Sequence, residues 1–127
     1  MPSRQSTELV HPLREELEFT TVIAALSDPV RLAIVARLGE LEPGGELFCA
    51  NFELPVSKST QSAHFRALRQ AGVIRQRDLG TRRLNSLRRK DLDTRFPGLL
   101  DLAITQGRSR LNAKRARAKA SAKIEHR

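Results

Sequence analysis

From Ser57 to Arg66 the sequence sets four short hydroxyls, Ser57, Ser59, Thr60 and Ser62, among two cations, Lys58 and Arg66. Beyond Gly72 follow four arginines, Arg75, Arg77, Arg82 and Arg83. Hydroxyls donate and accept hydrogen bonds at short reach, and Lys and Arg neutralise phosphate oxygens. This is the chemistry of recognising a polyanion rather than of making or breaking bonds. No Gly-rich phosphate loop, paired carboxylates or Cys/His or Ser/His spacing stands out, so no enzyme is expected.

Metal and redox chemistry have little to work with. Cys49 is the one cysteine, which excludes an internal disulfide and fits a cytosolic setting. His11, His64 and His126 fall in different elements, and the last apolar helix carries Asp101 but no His. Neither a metal site within one subunit nor a cofactor is expected. His64 is expected to pack or to bond backbone. Cys49 reads either as a small half-buried hydrophobe or as a thiol switch just before the hydroxyl-rich segment.

The charge distribution points to the partner. Of the 127 residues, 23 are Lys or Arg and 14 Asp or Glu, a net charge of +9. Met1 to Glu53 holds four basic and nine acidic residues, net −5; Leu54 to Arg127 holds 19 and five, net +14. A basic half on an acidic half is the footprint of a polyanion binder. The basic half lacks the aromatic-rich apolar face of an interfacial helix, and no apolar run approaches the roughly 18 residues that span a bilayer. No membrane role is expected, and a cytoplasmic location is. With five Phe and no Trp or Tyr, the chain is poor in the aromatics that stack single-stranded bases. Duplex is the better target.

These residues must be positioned by a small fold. Residues 1–10 read as disordered. His11 to Leu26 carries Leu13, Leu17, Val22, Ile23 and Leu26 at helical spacing. Asp28 and Pro29 read as N-cap and first turn of a second helix bearing Val30, Ile34, Val35 and Leu38 and ending before Gly44-Gly45. Residues 46–56 read as a short helix limited by Pro55. Ser57 caps the next helix, 57–71, whose Phe65 and Leu68 face inward and which Gly72 ends. Val73 to Arg77 and Arg82 to Leu87 read as a β-hairpin around a turn at Asp78 to Thr81. Arg75 and Arg77 share a face. Pro97 opens a last helix with Phe96, Leu99, Leu100, Ala103 and Ile104 on one face. Residues 107–127 form a basic Ala/Arg/Lys-rich tail, either a helical extension or disordered.

The order is that of a winged helix-turn-helix: mainly α, about five helices plus a small β-hairpin wing, with the DNA-binding and dimerisation domain over 11–106. Such a fold lays its second helix in the major groove and lets the wing, 73–88, reach the flanking backbone or minor groove. Each feature alone is an ordinary capped helix or a solvated basic hairpin; their order and the charge split favour duplex binding.

Three stretches resemble the ArsR (ArsR/SmtB) family of winged-helix repressors: Leu26 to Val35 with its Asp28-Pro29-Val30-Arg31 opening, Ser57 to Ile74, and Arg75 to Arg88. The resemblance covers residues 13–104. It implies a homodimer through the first and last helices, bound to a palindromic operator, in a family where many members release DNA on binding a metal or an oxidant. It places Ser59, Thr60, Ser62 and Ala63 on the DNA-facing surface and Arg31 near the DNA backbone. The chain departs from the family at Gln61, usually apolar; at Ala63, often His; and at Leu84-Asn85, usually an aromatic pair. Gln61 turns either toward DNA or toward the segment holding Cys49. A nonspecific nucleoid-type DNA-binding protein and an RNA-binding protein are the competing readings.

Overall fold

The computed structural model describes residues 9–125, apart from the side chains of residues 111, 112 and 122–125. Nearly all of the expected disordered stretch, 1–10, lies outside the described residues. Five helices and a three-stranded antiparallel sheet make up the winged helix-turn-helix: α1 Phe19–Leu26, α2 Pro29–Gly39, β1 Leu47–Phe48, α3 Lys58–Ala71, β2 Ile74–Leu79, β3 Arg82–Leu87, α4 Arg89–Arg95 and α5 Leu99–Glu125.

Helix α2 is the hub. Asp28 Oδ1 accepts from the amides of Val30 (2.8 Å) and Arg31 (3.1 Å), and Pro29 takes the first helical position, as the sequence suggests. Ile34, Val35 and Leu38 are buried among Val22 and Leu26 of α1, Phe65 and Leu68 of α3, and Leu100 and Ile104 of α5. The helix stops at Gly39, earlier than expected. Helix α5 crosses it closely because glycines sit at the contact: a Cβ on Gly39 would lie 2.7 Å from Ile104, and one on Gly107 2.7 Å from the Leu32 carbonyl.

The first helix is shorter than its apolar spacing suggests. Only Arg14–Glu16 form a 3-10 turn, and Leu17 and Glu18 are extended. Tertiary bonds outbid the local pattern: Arg88 Nη1 donates to the Pro12 carbonyl (2.7 Å), Arg95 Nη1 to that of Glu15 (3.0 Å) and Arg95 Nη2 to that of Leu17 (2.6 Å). Those carbonyls are thereby taken from helical partners. Leu17 is buried against Gly72 while Leu13 stays exposed.

Residues 46–56 are not a helix. Leu47 and Phe48 pair with Asn85 and Leu84 on the open edge of β3, and only Cys49–Phe52 form a 3-10 turn. Phe52 then meets Phe65 of α3 edge-on, with ring centroids 5.2 Å apart. The sheet order is β1-β3-β2. Pairing of β2 with β3 runs from Ile74↔Leu87 to Leu79↔Arg82, so Asp78 and Leu79 belong to the strand and the turn is Gly80-Thr81 alone. Gly80, at φ 65°, supplies the positive φ that a two-residue hairpin requires.

Helix α4 has no counterpart in the sequence reading, since Leu92 is its one buried residue. Pro97-Gly98 follow it, and the last helix opens at Leu99. Of its expected apolar face, Leu100, Ala103 and Ile104 are buried, with Phe96 and Leu99 packed at the margin. The basic tail continues as one helix to Glu125, with Arg115 3.7 Å from Glu40.

Candidate nucleic-acid interface

Helix α3 starts at its cap and presents its charged face outward. Ser57 Oγ accepts the Thr60 amide (3.3 Å), donates to Thr60 Oγ1 (2.9 Å) and lies 3.3 Å from Ser59 Oγ. Lys58, Ser59, Thr60, Ser62, Ala63 and Arg66 are all exposed, while Phe65, Leu68 and Ala71 anchor the other face. The hydroxyl cluster sits at the end of the helix whose free amides favour negative charge.

Gln61 turns inward. Its Nε2 donates to the Val56 carbonyl (3.1 Å), holding the loop that leads into the helix. Arg31 is also occupied within the fold: Nε donates to the Ala25 carbonyl (2.7 Å), Nη2 reaches that of Ala24 (3.4 Å), and Nη1 lies 3.3 Å from His64 Nδ1. It thus ties the end of α1 to α3. His64 is 3.9 Å from Asp28 Oδ1. Burial raises the pKa of the Asp28 carboxyl, but the Arg31 and Val30 amides outweigh it and hold the group below its ordinary value.

Strand alternation divides the wing arginines. Arg75, Arg77 and Arg82 share the outer face; Gln76, Asp78, Arg83 and Asn85 share the inner face, toward α3. The outer set is engaged locally. Arg77 grips Glu46 with two 2.7 Å bonds, which hold the Glu46 carboxyl below its usual range. The Arg82 guanidinium carbon lies 3.5 Å from the Phe48 ring centroid. Arg75 is 3.9 Å from Asp91. On the inner face Arg83 bonds Asp78 at 2.8 Å.

Between α3 and this inner face lies a cleft of about 690 Å³, whose lining includes Lys58, Ser62, Phe65, Arg66, Arg69, Gln76, Asp78, Arg83 and Cys49. Burial, then the neighbouring Arg83 and Arg66, lower the pKa of Arg69, partly offset by Asp78. A buried chain of polar groups runs beneath it. Arg69 Nη1 donates to Gln76 Oε1 (2.8 Å), Gln76 Nε2 to Asn85 Oδ1 (2.7 Å), and Asn85 Nδ2 to the Leu47 carbonyl (3.1 Å) and Cys49 Sγ (3.2 Å). Arg69 and Gln76 are not singled out by the sequence pattern, and Asn85 stands out only through the departure at Leu84-Asn85. The signals present are the Arg66/Arg69 spacing of three and two amides at the inward phase of the strands.

Among the described residues, no three His, Cys, Asp or Glu side chains gather as metal ligands would. No single helix there is long and apolar enough to cross a membrane.

A capped helix with an exposed polar face, seated beside a β-wing on a small helical core, defines a winged helix-turn-helix protein. The chain belongs to the helix-turn-helix family of transcriptional regulators. It is 37% identical over 82 residues to an uncharacterized HTH-type transcriptional regulator, YceK, of Bacillus subtilis (strain 168), spanning 63% of this chain and 80% of that protein. A solved ArsR-like transcriptional regulator from Rhodococcus sp. RHA1 is similar at 22% identity and a TM-score of 0.49, over 83% of this chain and 89% of that one. No family model matches the chain.

Proposed function

We propose that the protein is a dimeric, cytoplasmic repressor of the ArsR type, reading duplex DNA in the major groove with α3 while the wing meets the flanking backbone. The observation that carries this reading is the exposed surface of α3: Lys58, Ser59, Thr60, Ser62, Ala63 and Arg66 project together from the helix that a helix-turn-helix offers to DNA. Short side chains at 59, 62 and 63 let the helix approach base edges closely, and the two cations neutralise phosphates. Ser57 and Gln61 set the helix rather than read bases, since both side chains bond within the fold. Arg31 does the same from α2.

Dimerisation through the first and last helices is supported by apolar side chains left uncovered there. Phe19 of α1 is 53% exposed and Leu102 of α5 59%, Leu13 on the segment leading into α1 is 64% exposed, and the Phe19 and Phe96 rings meet at a 60° tilt with centroids 5.7 Å apart. Cys49 is the proposed thiol switch, because its sulfur accepts from Asn85 at the floor of the cleft between helix and wing.

Footprinting on a selected duplex tests the reading. A two-fold-symmetric protected site with half-sites about one helical turn, or a multiple of one, apart is expected. Protection without symmetry contradicts the dimeric reading, and equal protection of any duplex favours a nonspecific nucleoid-type protein.

A further inference from the structure

We propose that the cavity between the end of α2, the loop 40–46 and α4 is a binding site for a free α-amino acid with a bulky apolar side chain, held by Asp93 and Lys90. It lies apart from the surface that meets DNA in the reading above: no residue of α3 lines it.

The cavity holds about 880 Å³, inside the range of roughly 300–1,000 Å³ in which small-molecule sites fall. Leu41, Pro43 and Leu87 give it an apolar wall, and Leu41 and Leu87 are half-buried against the core. Local chemistry folds the loop back over it. The Gly45 amide donates to the Glu42 carbonyl at 2.8 Å, and Gly44 takes φ 80°. A Cβ on Gly45 would stand 2.7 Å from the Leu41 Cβ, so the loop closes this tightly only with glycine there.

The charges on α4 point to the ligand. Lys90 and Asp93 stand about one turn apart on the helix, and both line the cavity. They carry opposite charges, yet among the described residues Lys90 forms no ion pair. Asp93 is only partly engaged. Arg89 gives its short bond, 2.9 Å, to Asp101 of α5 and reaches Asp93 Oδ2 at 3.4 Å. Asp93 Oδ1 is shielded from solvent and receives no hydrogen bond. A carboxylate so placed lacks a donor, and a turn about its soft terminal torsion brings that oxygen to an arriving one.

An α-amino acid supplies what both groups lack. Its ammonium donates to Asp93, and its carboxylate accepts from Lys90. Residues three apart on a helix have Cβ atoms about 5–6 Å apart, a span that the two charged ends of one zwitterion bridge. Thr94 Oγ1 donates its hydrogen to the Lys90 carbonyl at 2.7 Å, which leaves it as a further acceptor for the ammonium. The charged lining, Glu42 and Asp93 against Arg89 and Lys90, is neutral in sum. Such walls disfavour a ligand of net charge, which would be left partly unpaired. The ligand's side chain then packs on the apolar wall.

The test is a titration of the full chain, without duplex, with L-leucine and three reduced forms of it. Leucinamide lacks the carboxylate, isocaproate lacks the ammonium, and glycine lacks the side chain. The NMR shifts of the Gly44, Gly45 and Thr94 amides report binding. L-leucine should move them to saturation, and each reduced form should bind at least about tenfold more weakly. Lys90→Gln and Asp93→Asn should each weaken L-leucine by about tenfold or more. Lys90→Gln should leave leucinamide binding unchanged, and Asp93→Asn should leave isocaproate binding unchanged. Thermal melting confirms that each variant is folded, and Lys90 is exposed, so its variant decides the matter even where Asp93→Asn unfolds. No saturable shift with leucine, isoleucine or phenylalanine would overturn the site. Folded variants that bind leucine as the wild type does would overturn it as well. Leucinamide binding as tightly as leucine would assign the cavity to an amine and overturn the amino-acid reading. With no duplex in the sample, each of these failures leaves the duplex-binding reading standing.

Discussion

Gln76 and Asn85, directly paired across the wing hairpin, hydrogen-bond to each other at 2.7 Å inside the fold. Both are buried, Asn85 completely. Each amide spends its remaining capacity on a different element: Gln76 on Arg69 of α3, and Asn85 on the Leu47 carbonyl and Cys49. The pair therefore sets where the wing stands relative to α3. A satisfied buried network fixes one geometry, and a broken one leaves desolvated groups unpaired.

Asn85→Ala should destabilise the protein by about 1–3 kcal/mol, because it strands the Gln76 amide and the Leu47 carbonyl without water. Urea unfolding of Asn85→Ala, Gln76→Ala and the double variant checks this. The double-mutant cycle should return a coupling of at least about 0.5 kcal/mol. Simple additivity would mean that the two side chains do not act together.

How much of this was legible in the sequence depended on whether the signal was local. The Asp28-Pro29 and Ser57 caps and the Gly72 stop are local backbone chemistry, and all three stand where the residues imply. The expected exposed face of α3 follows from helical period alone. Misreadings fall where distant groups decide. Three carbonyls between Pro12 and Leu17 bond arginines more than 70 residues away, which breaks the apparent first helix. Leu47 and Phe48 become a strand because β3 offers an edge. The wing arginines look alike in sequence, yet Glu46, Phe48 and Asp91 engage three of them on the outer face. No spacing rule links residue 46 to residue 77.

Gly72 cannot be replaced cheaply. Its φ is 86°, and a Cβ there would collide with the Leu17 side chain. Gly72→Ala should lower stability by about 2–3 kcal/mol, combining left-handed backbone strain with a displaced core leucine. Thermal melting checks this, with Gly44→Ala as the reference. Gly44 has φ 80° and open space around its Cβ position, so it reports the backbone strain alone. Equal losses at the two positions would show that Leu17 yields without penalty.

His11 should make stability depend on pH above the carboxylate range. Its Nε2 accepts the Gln76 amide at 2.9 Å, which requires that nitrogen to be unprotonated. Burial first, then Arg75, lower its pKa below the ordinary 6.5, against a smaller opposing effect from the Leu9 backbone. The folded chain thus holds this proton more weakly than the unfolded chain. The stabilisation is complete above the unfolded value of about 6.5 and is lost as pH falls toward and through the folded one. The melting temperature of the wild type should drop between about pH 7.5 and 5. His11→Gln, which keeps an acceptor but does not titrate, should drop less. Parallel curves would remove His11 from the account.

Cys49→Ser keeps an acceptor for Asn85 and should change stability by less than about 1.5 kcal/mol. Peroxide treatment of the wild type adds oxygen to the sulfur against the Asn85 amide, at the floor of the cleft. Duplex affinity should fall on oxidation and recover with thiol reductant, and Cys49→Ser should not respond. An equal response in the serine variant would exclude the thiol as the sensor.

The central claim is that the exposed face of α3 reads base sequence in duplex DNA. The most direct measurement is the ratio of affinities, at one fixed salt concentration, for a duplex selected from a random pool and for an unselected duplex of equal length. The account predicts a ratio of about 1,000 or more, falling when Ser59, Ser62 or Ala63 is replaced by a bulky residue. Equal affinity for the two duplexes would contradict it.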